Sequence, residues 1–100
     1  MDSLIEHLAS VEAQCDVCLR GWFAVRAQDM CDLAHICAKP IPNLKGAPKP
    51  VVLLRRRYNR QAYLVGILAQ SKTDTQTLQP KIKTLRKITA LLRKTLIDKP

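Results

Sequence analysis

Aromatic side chains make up only 4% of the 100 residues, glycine occurs three times, and beyond residue 38 the acidic residues are reduced to Asp74 and Asp98. Each scarcity removes a class of function. With so few rings there is no extended platform for stacking bases or sugars. With so few glycines there is no glycine-rich phosphate loop, and neither a nucleophile elbow nor a recognisable carboxylate pair occurs, so the chain carries no signature of an enzyme. The longest uncharged apolar run, Ala62 to Ala69, is too short to span a bilayer. Asp2 and Glu6 stand where a secretory leader would be basic, so the expectation is an intracellular, soluble protein. Four cysteines in that setting read as thiols or metal ligands rather than disulfides.

Positive charge is abundant and unevenly placed. The net charge is +9. Residues 1–38 hold six acidic residues against Arg20 and Arg26, a net of −4, whereas residues 39–100 hold 15 Lys and Arg against two Asp, a net of +13. A half so one-sided repels itself unless a polyanion or an acidic surface offsets it. Nucleic acid, an acidic protein and an anionic membrane surface are the ligands that charge implies. A length of 100 residues fits one domain with a modest core and no large substrate cleft.

Periodicity predicts an all-α fold, a small bundle of three to four helices. Ser3 and Glu6 have capping-box spacing. Leu4, Leu8, Val11, Cys15, Cys18, Trp22 and Val25 then alternate steps of four and three, one apolar stripe on a helix. Leu4, Leu8, Val11 and Trp22 on it are expected in a core or a self-association surface, and a homodimer is one way to cover them. Beyond Gly21 the phase shifts to Met30, Leu33 and Cys37, predicting a helix kinked or split near residues 21–28. Residues 39–50, with Pro40, Pro42, Pro48, Pro50 and Gly46, form a proline-rich linker that no regular helix tolerates. After it, residues 51–70 read as helix, with Leu54, Tyr58, Ala62, Val65 and Ala69 on one face. A hairpin is the alternative, opposed by three consecutive arginines that break strand alternation. In the last segment Leu78, Ile82, Leu85, Ile88, Leu92 and Leu96 are helically spaced, with Pro80 expected in the first turn.

Two constellations are chemically meaningful. Arg55, Arg56, Arg57 and Arg60, with Lys83, Arg86, Lys87, Arg93 and Lys94 opposite the last apolar stripe, mix forked guanidinium donors with ammonium point charges. That mixture suits phosphate backbone rather than base reading, and predicts an RNA- or DNA-binding regulator or accessory factor. Tyr58 and Tyr63 lie among the arginines, where a ring can stack on a base or serve as core. A solvated face is the bland account of any one basic stripe, and an adaptor or chaperone docking an acidic protein is the alternative function. The second constellation is Cys15, Cys18, Cys31 and His35, whose spacing resembles a two-Cys two-His zinc finger with one histidine replaced by cysteine. It covers about a quarter of the chain and would make zinc a cofactor. The aromatic before the first cysteine and the apolar residue before the third ligand that such fingers carry are missing. A finger also needs a hairpin where the apolar stripe needs a helix, and seven stripe positions outweigh one spacing, so Cys15 and Cys18 are read as small core residues with no metal.

Overall fold

A computed structural model of the chain describes residues 2–20, 27–71 and 75–98. They form four helices, α1 (Asp2–Arg20), α2 (Ala27–Cys37), α3 (Lys49–Gln70) and α4 (Thr75–Ile97), and no strand occurs among the described residues. The all-α expectation holds, and residues 51–70 are helix rather than hairpin. The physical reason is visible in α3. Pro48 sits at the N-cap in extended conformation and Pro50 within the first turn, where a missing N–H has no cost, and the carbonyl of Pro48 accepts the first helical bond from the Val52 N–H at 3.1 Å. Leu54, Tyr58, Ala62 and Val65 then fall on one buried face, as their spacing requires. The helix stops at Ser71, whose N–H and hydroxyl both donate to the Ile67 carbonyl, at 3.0 and 2.7 Å.

Helix starts differ from the sequence expectation in two places. Ser3 lies inside α1 and not at its cap, because the helix begins at Asp2. Pro80 lies inside α4 and not in its first turn. Without an N–H it cannot bond the Gln76 carbonyl, but Gln76 is exposed, so solvent can replace that bond. The linker is shorter than expected as well, since Lys49 and Pro50 belong to α3. Within it Gly46 takes φ 73°, a left-handed conformation in which a Cβ would be strained. The expected break near residues 21–28 falls largely on residues 21–26, outside the described residues, as do Trp22 and Val25.

Packing follows the apolar stripes. α1 and α3 each pack against both α2 and α4, in a body with extents of 41 × 19 × 19 Å. Leu8, Val11, Cys15 and Cys18 from α1, Leu33 and Cys37 from α2, Tyr58 and Val65 from α3, and Ile82, Leu85 and Leu92 from α4 are buried in one cluster. Leu4 is half-buried against it. Leu8 and Val11 are therefore covered within one chain. Thr89 is fully buried in α4 and donates its hydroxyl to the Leu85 carbonyl at 2.7 Å, which satisfies the polar atom locally. The linker is tied to the bundle through buried Ile41. Its N–H donates to Asn59 Oδ1 at 2.8 Å, and its carbonyl accepts from Asn59 Nδ2 at 3.0 Å and from Arg55 Nη1 at 3.2 Å. No described helix is long and apolar enough to cross a membrane.

Candidate functional site

Neither α3 nor α4 contains a single Asp or Glu, while α3 carries five cations and α4 six. The two helices form a consecutive pair whose facing edges are marked by Gln61, which donates Nε2 to the Lys81 carbonyl at 2.9 Å. The nine candidate cations separate here into two groups.

Three have structural work. Arg86 donates Nε to Asp16 Oδ1 at 2.5 Å and Nη2 to Asp16 Oδ2 at 3.3 Å. Arg93 forms the same two-pronged pair with Glu12, its Nη2 lying 3.3 Å from Oε1. Both pairs clamp α4 to α1 with the fork geometry that makes arginine suited to carboxylates. The two differ in burial: both partners of the Asp16 pair are partly exposed, at 41% and 37%, whereas the Glu12 side chain is only 10% exposed. The carboxylate hydrogen bonds raise the pKa of both guanidinium groups, so neither loses its charge. Arg55, half-buried, is the third, holding the Ile41 carbonyl.

The other six, Arg56, Arg57, Arg60, Lys83, Lys87 and Lys94, are exposed, and none is paired with a carboxylate among the described residues. Steps of four and seven residues keep Lys83, Lys87 and Lys94 within about 40° of one another on α4, a ridge about 16 Å long at 1.5 Å per residue. They lie opposite buried Leu85, Leu92 and Ile88. Arg56 and Arg60 share the outer face of α3, one turn apart. Arg57 lies one turn before Gln61, on the edge of α3 that faces α4. Interleaved with the cations are exposed apolar side chains, Leu53, Tyr63, Leu64 and Ile67 on α3 and Leu91 and Ile97 on α4. Apart from Tyr63, sequence reasoning did not foresee these.

The two tyrosines are resolved into different roles. Five residues apart on a helix, they point about 140° away from each other. Tyr58 is fully buried, which raises its pKa, and its hydroxyl has no hydrogen-bond partner among the described residues. Tyr63 is 61% exposed. It borders a groove of about 390 Å³ between α2 and α3, lined by Ala34, Cys37, Ala38, Pro40, Asn59, Ala62, Gly66, Ile67 and Gln70.

The cysteine and histidine set is not brought together. Cys15 and Cys18 are buried on α1, which is helical where a zinc finger would need a hairpin, while Cys31 and His35 are exposed on α2. Among the described residues no three His, Cys, Asp or Glu side chains could hold a metal ion. Burial pushes the Cys18 thiol up to about 11 and the Cys37 thiol up to about 12, and raises Cys15 as well, so all three stay protonated at neutral pH. Cys18 donates its thiol to the Asp29 carbonyl at 3.7 Å. His7 is half-buried and its Nε2 has no partner among the described residues; burial first, and the charge of Lys39 second, lower its pKa.

Compared with known protein families, curated proteins and solved structures, the chain matches none. The functional reading therefore rests on the physical chemistry of the α3–α4 pair.

Proposed function

We propose that this chain is a non-enzymatic nucleic-acid-binding protein that holds the phosphate backbone of RNA or DNA on the outer faces of α3 and α4, acting as a regulator or accessory factor. The observation that carries the reading is the excess left after structural roles are deducted. Arg86, Arg93 and Arg55 are engaged within the fold, yet the other six of the nine candidate cations have no carboxylate partner among the described residues, on two helices that contain no carboxylate. A face that served solubility alone would gain more from charges of both signs, which attract locally and do not repel. Lysines at turn spacing supply point charge, and Arg56, Arg57 and Arg60 supply forked donors, a combination suited to phosphate and indifferent to base identity.

The test is substitution on the exposed faces. Changing Lys83, Lys87 and Lys94 to glutamine removes charge away from the core, so helicity should be unchanged. The slope of log affinity against log salt should shrink by about 0.9 for each duplex phosphate no longer neutralised, with a similar fall in affinity for unrelated sequences. Adding Arg56→Gln and Arg60→Gln should extend that fall. Unaltered nucleic-acid binding by a folded five-site variant would overturn the proposal.

A second reading is favoured by a specific observation. Leu53, Leu64 and Leu91 are exposed beside the cations, and a phosphate backbone has no use for them. An acidic amphipathic helix would use both kinds of side chain, as an adaptor's partner does. Binding to such a peptide would persist at salt concentrations that abolish backbone contacts.

A further inference from the structure

We infer that the groove between α2 and α3 takes an unpaired nucleobase, stacked on Tyr63, so that the ligand of this face is single-stranded nucleic acid. The inference rests on the phosphate-binding reading and specifies its substrate class. Three features of the groove support it. Tyr63 presents its ring at the rim, 61% exposed, whereas Tyr58 is fully buried and out of reach. The groove is lined by small residues, Ala34, Ala62 and Gly66 among them, and at Gly66 a Cβ would make ordinary contact with α2, 3.6 Å from Cys37 Cβ and 3.8 Å from the Ala34 carbonyl. At about 390 Å³ the groove is large enough for a planar base.

The charge around it is complementary to the strand that would carry the base. Arg60 and Tyr63 are three residues apart and Arg56 and Arg60 four, so each is the surface neighbour of the next along α3. A rise of about 6 Å between the two arginines is on the scale of successive phosphates in one strand. Both arginines are exposed, as is Lys39, which lies between the lining residues Ala38 and Pro40. A duplex keeps its bases stacked inside and can place only phosphates on this face, whereas a single strand can place a base on the ring and phosphates on the cations together. Base identity should matter little. Asn59, a polar side chain in the wall, is committed through both its amide atoms to Ile41, which leaves Gln70 as the other side-chain amide and no full set of donors and acceptors to read an edge.

The experiment measures anisotropy of three labelled probes of equal length and about twelve nucleotides, within the range of known site sizes. They are an oligothymidylate, the same strand with its central bases removed, and a duplex. Tyr63→Ala removes an exposed side chain and should leave the fold intact. It should weaken the oligothymidylate by about tenfold, within the range that base–aromatic stacking spans on alanine substitution. Abasic strand and duplex should bind as before, the salt slope should not move, and Tyr63→Phe should restore the affinity. Equal effects on all three probes, or none, would overturn the stacking site; if the lysine variants of α4 still weaken binding in that case, the phosphate-binding reading stands without it. A wild-type chain that binds none of the probes would overturn both. An acidic helical peptide whose binding alone is abolished by Tyr63→Ala would assign the groove to a protein partner and overturn the inference.

Discussion

Truncating Leu8 to alanine probes whether α1 closes the core of its own chain. Leu8 is fully buried in the cluster that joins all four helices, so the variant forfeits both the transfer free energy of the removed methyl groups and the packing around the cavity they leave. Buried Leu→Ala changes cost about 2.7–5.0 kcal/mol, the spread reflecting how far neighbours relax. A 100-residue domain has a total stability of about 5–15 kcal/mol, so the loss is a large fraction of it. Urea unfolding followed by far-ultraviolet circular dichroism should show a lower midpoint at unchanged slope, and thermal unfolding a midpoint lower by at least about 10 °C. Leu8→Asp should cost more, because it also places a carboxyl group among apolar side chains. Ser10→Ala, an exposed position two residues away whose hydroxyl donates to the Glu6 carbonyl at 3.0 Å, should stay within about 0.5 kcal/mol of the wild type. A Leu8→Ala cost below about 1 kcal/mol, or one no larger than that of Ser10→Ala, would refute the burial of this stripe.

Tyr58→Phe should be as stable as the wild type or more so, because it deletes a buried hydroxyl that has no partner among the described residues and whose burial costs about 1–3 kcal/mol; a clear drop in the urea midpoint would show that the hydroxyl is bonded. A thiol reagent at neutral pH should modify one cysteine in the folded chain, exposed Cys31, and reach Cys15, Cys18 and Cys37 only on unfolding; rapid labelling that survives Cys31→Ser would contradict the burial of those three. His7 gives a pH dependence of defined sign. Its folded pKa lies below the ordinary 6.5, so its contribution to stability is fully present above that value and is lost as pH falls below it, where the unfolded chain takes up the proton first. The urea midpoint should therefore drop from about pH 7.5 to about pH 5.5, and His7→Gln should flatten the drop; an unchanged drop in that variant would place the titrating group elsewhere.

Helix type and the buried faces were legible because periodicity is a local property. Steps of three and four fix which side of α3 and α4 is apolar whatever those helices pack against, and Leu54, Leu85 and Leu92 lie on the predicted apolar faces and are buried, as is Tyr58, whose role the sequence left open between core and base stacking. Helical arithmetic also sets Tyr58 and Tyr63, five residues apart, on different sides of α3. Partner choice was not legible. Arg86 and Arg93 look like Lys83 and Lys87 in the sequence, and only the docking of α4 against α1 commits them to Asp16 and Glu12. A hint was present in the charge split, since an acidic half beside a basic half within one chain can neutralise itself in part. Asn59 is one polar residue among several on α3 in the sequence, and its pair of hydrogen bonds to Ile41 depends on where the linker returns. The spacing of Cys15 and Cys18 fits a metal knuckle and a helical stripe alike, and the helix wins because the stripe continues to Val11 and Leu8 and is covered by α4.

The most direct test of the central claim is the salt dependence of wild-type binding to one duplex between about 50 and 200 mM salt. If the six exposed candidate cations, Arg56, Arg57, Arg60, Lys83, Lys87 and Lys94, contact phosphates, log affinity falls linearly with log salt. The slope is then no steeper than about −5, and full engagement costs about a thousandfold in affinity over that interval. A slope near zero, or binding that strengthens with salt, would contradict the account and leave an apolar partner surface as the function of this face.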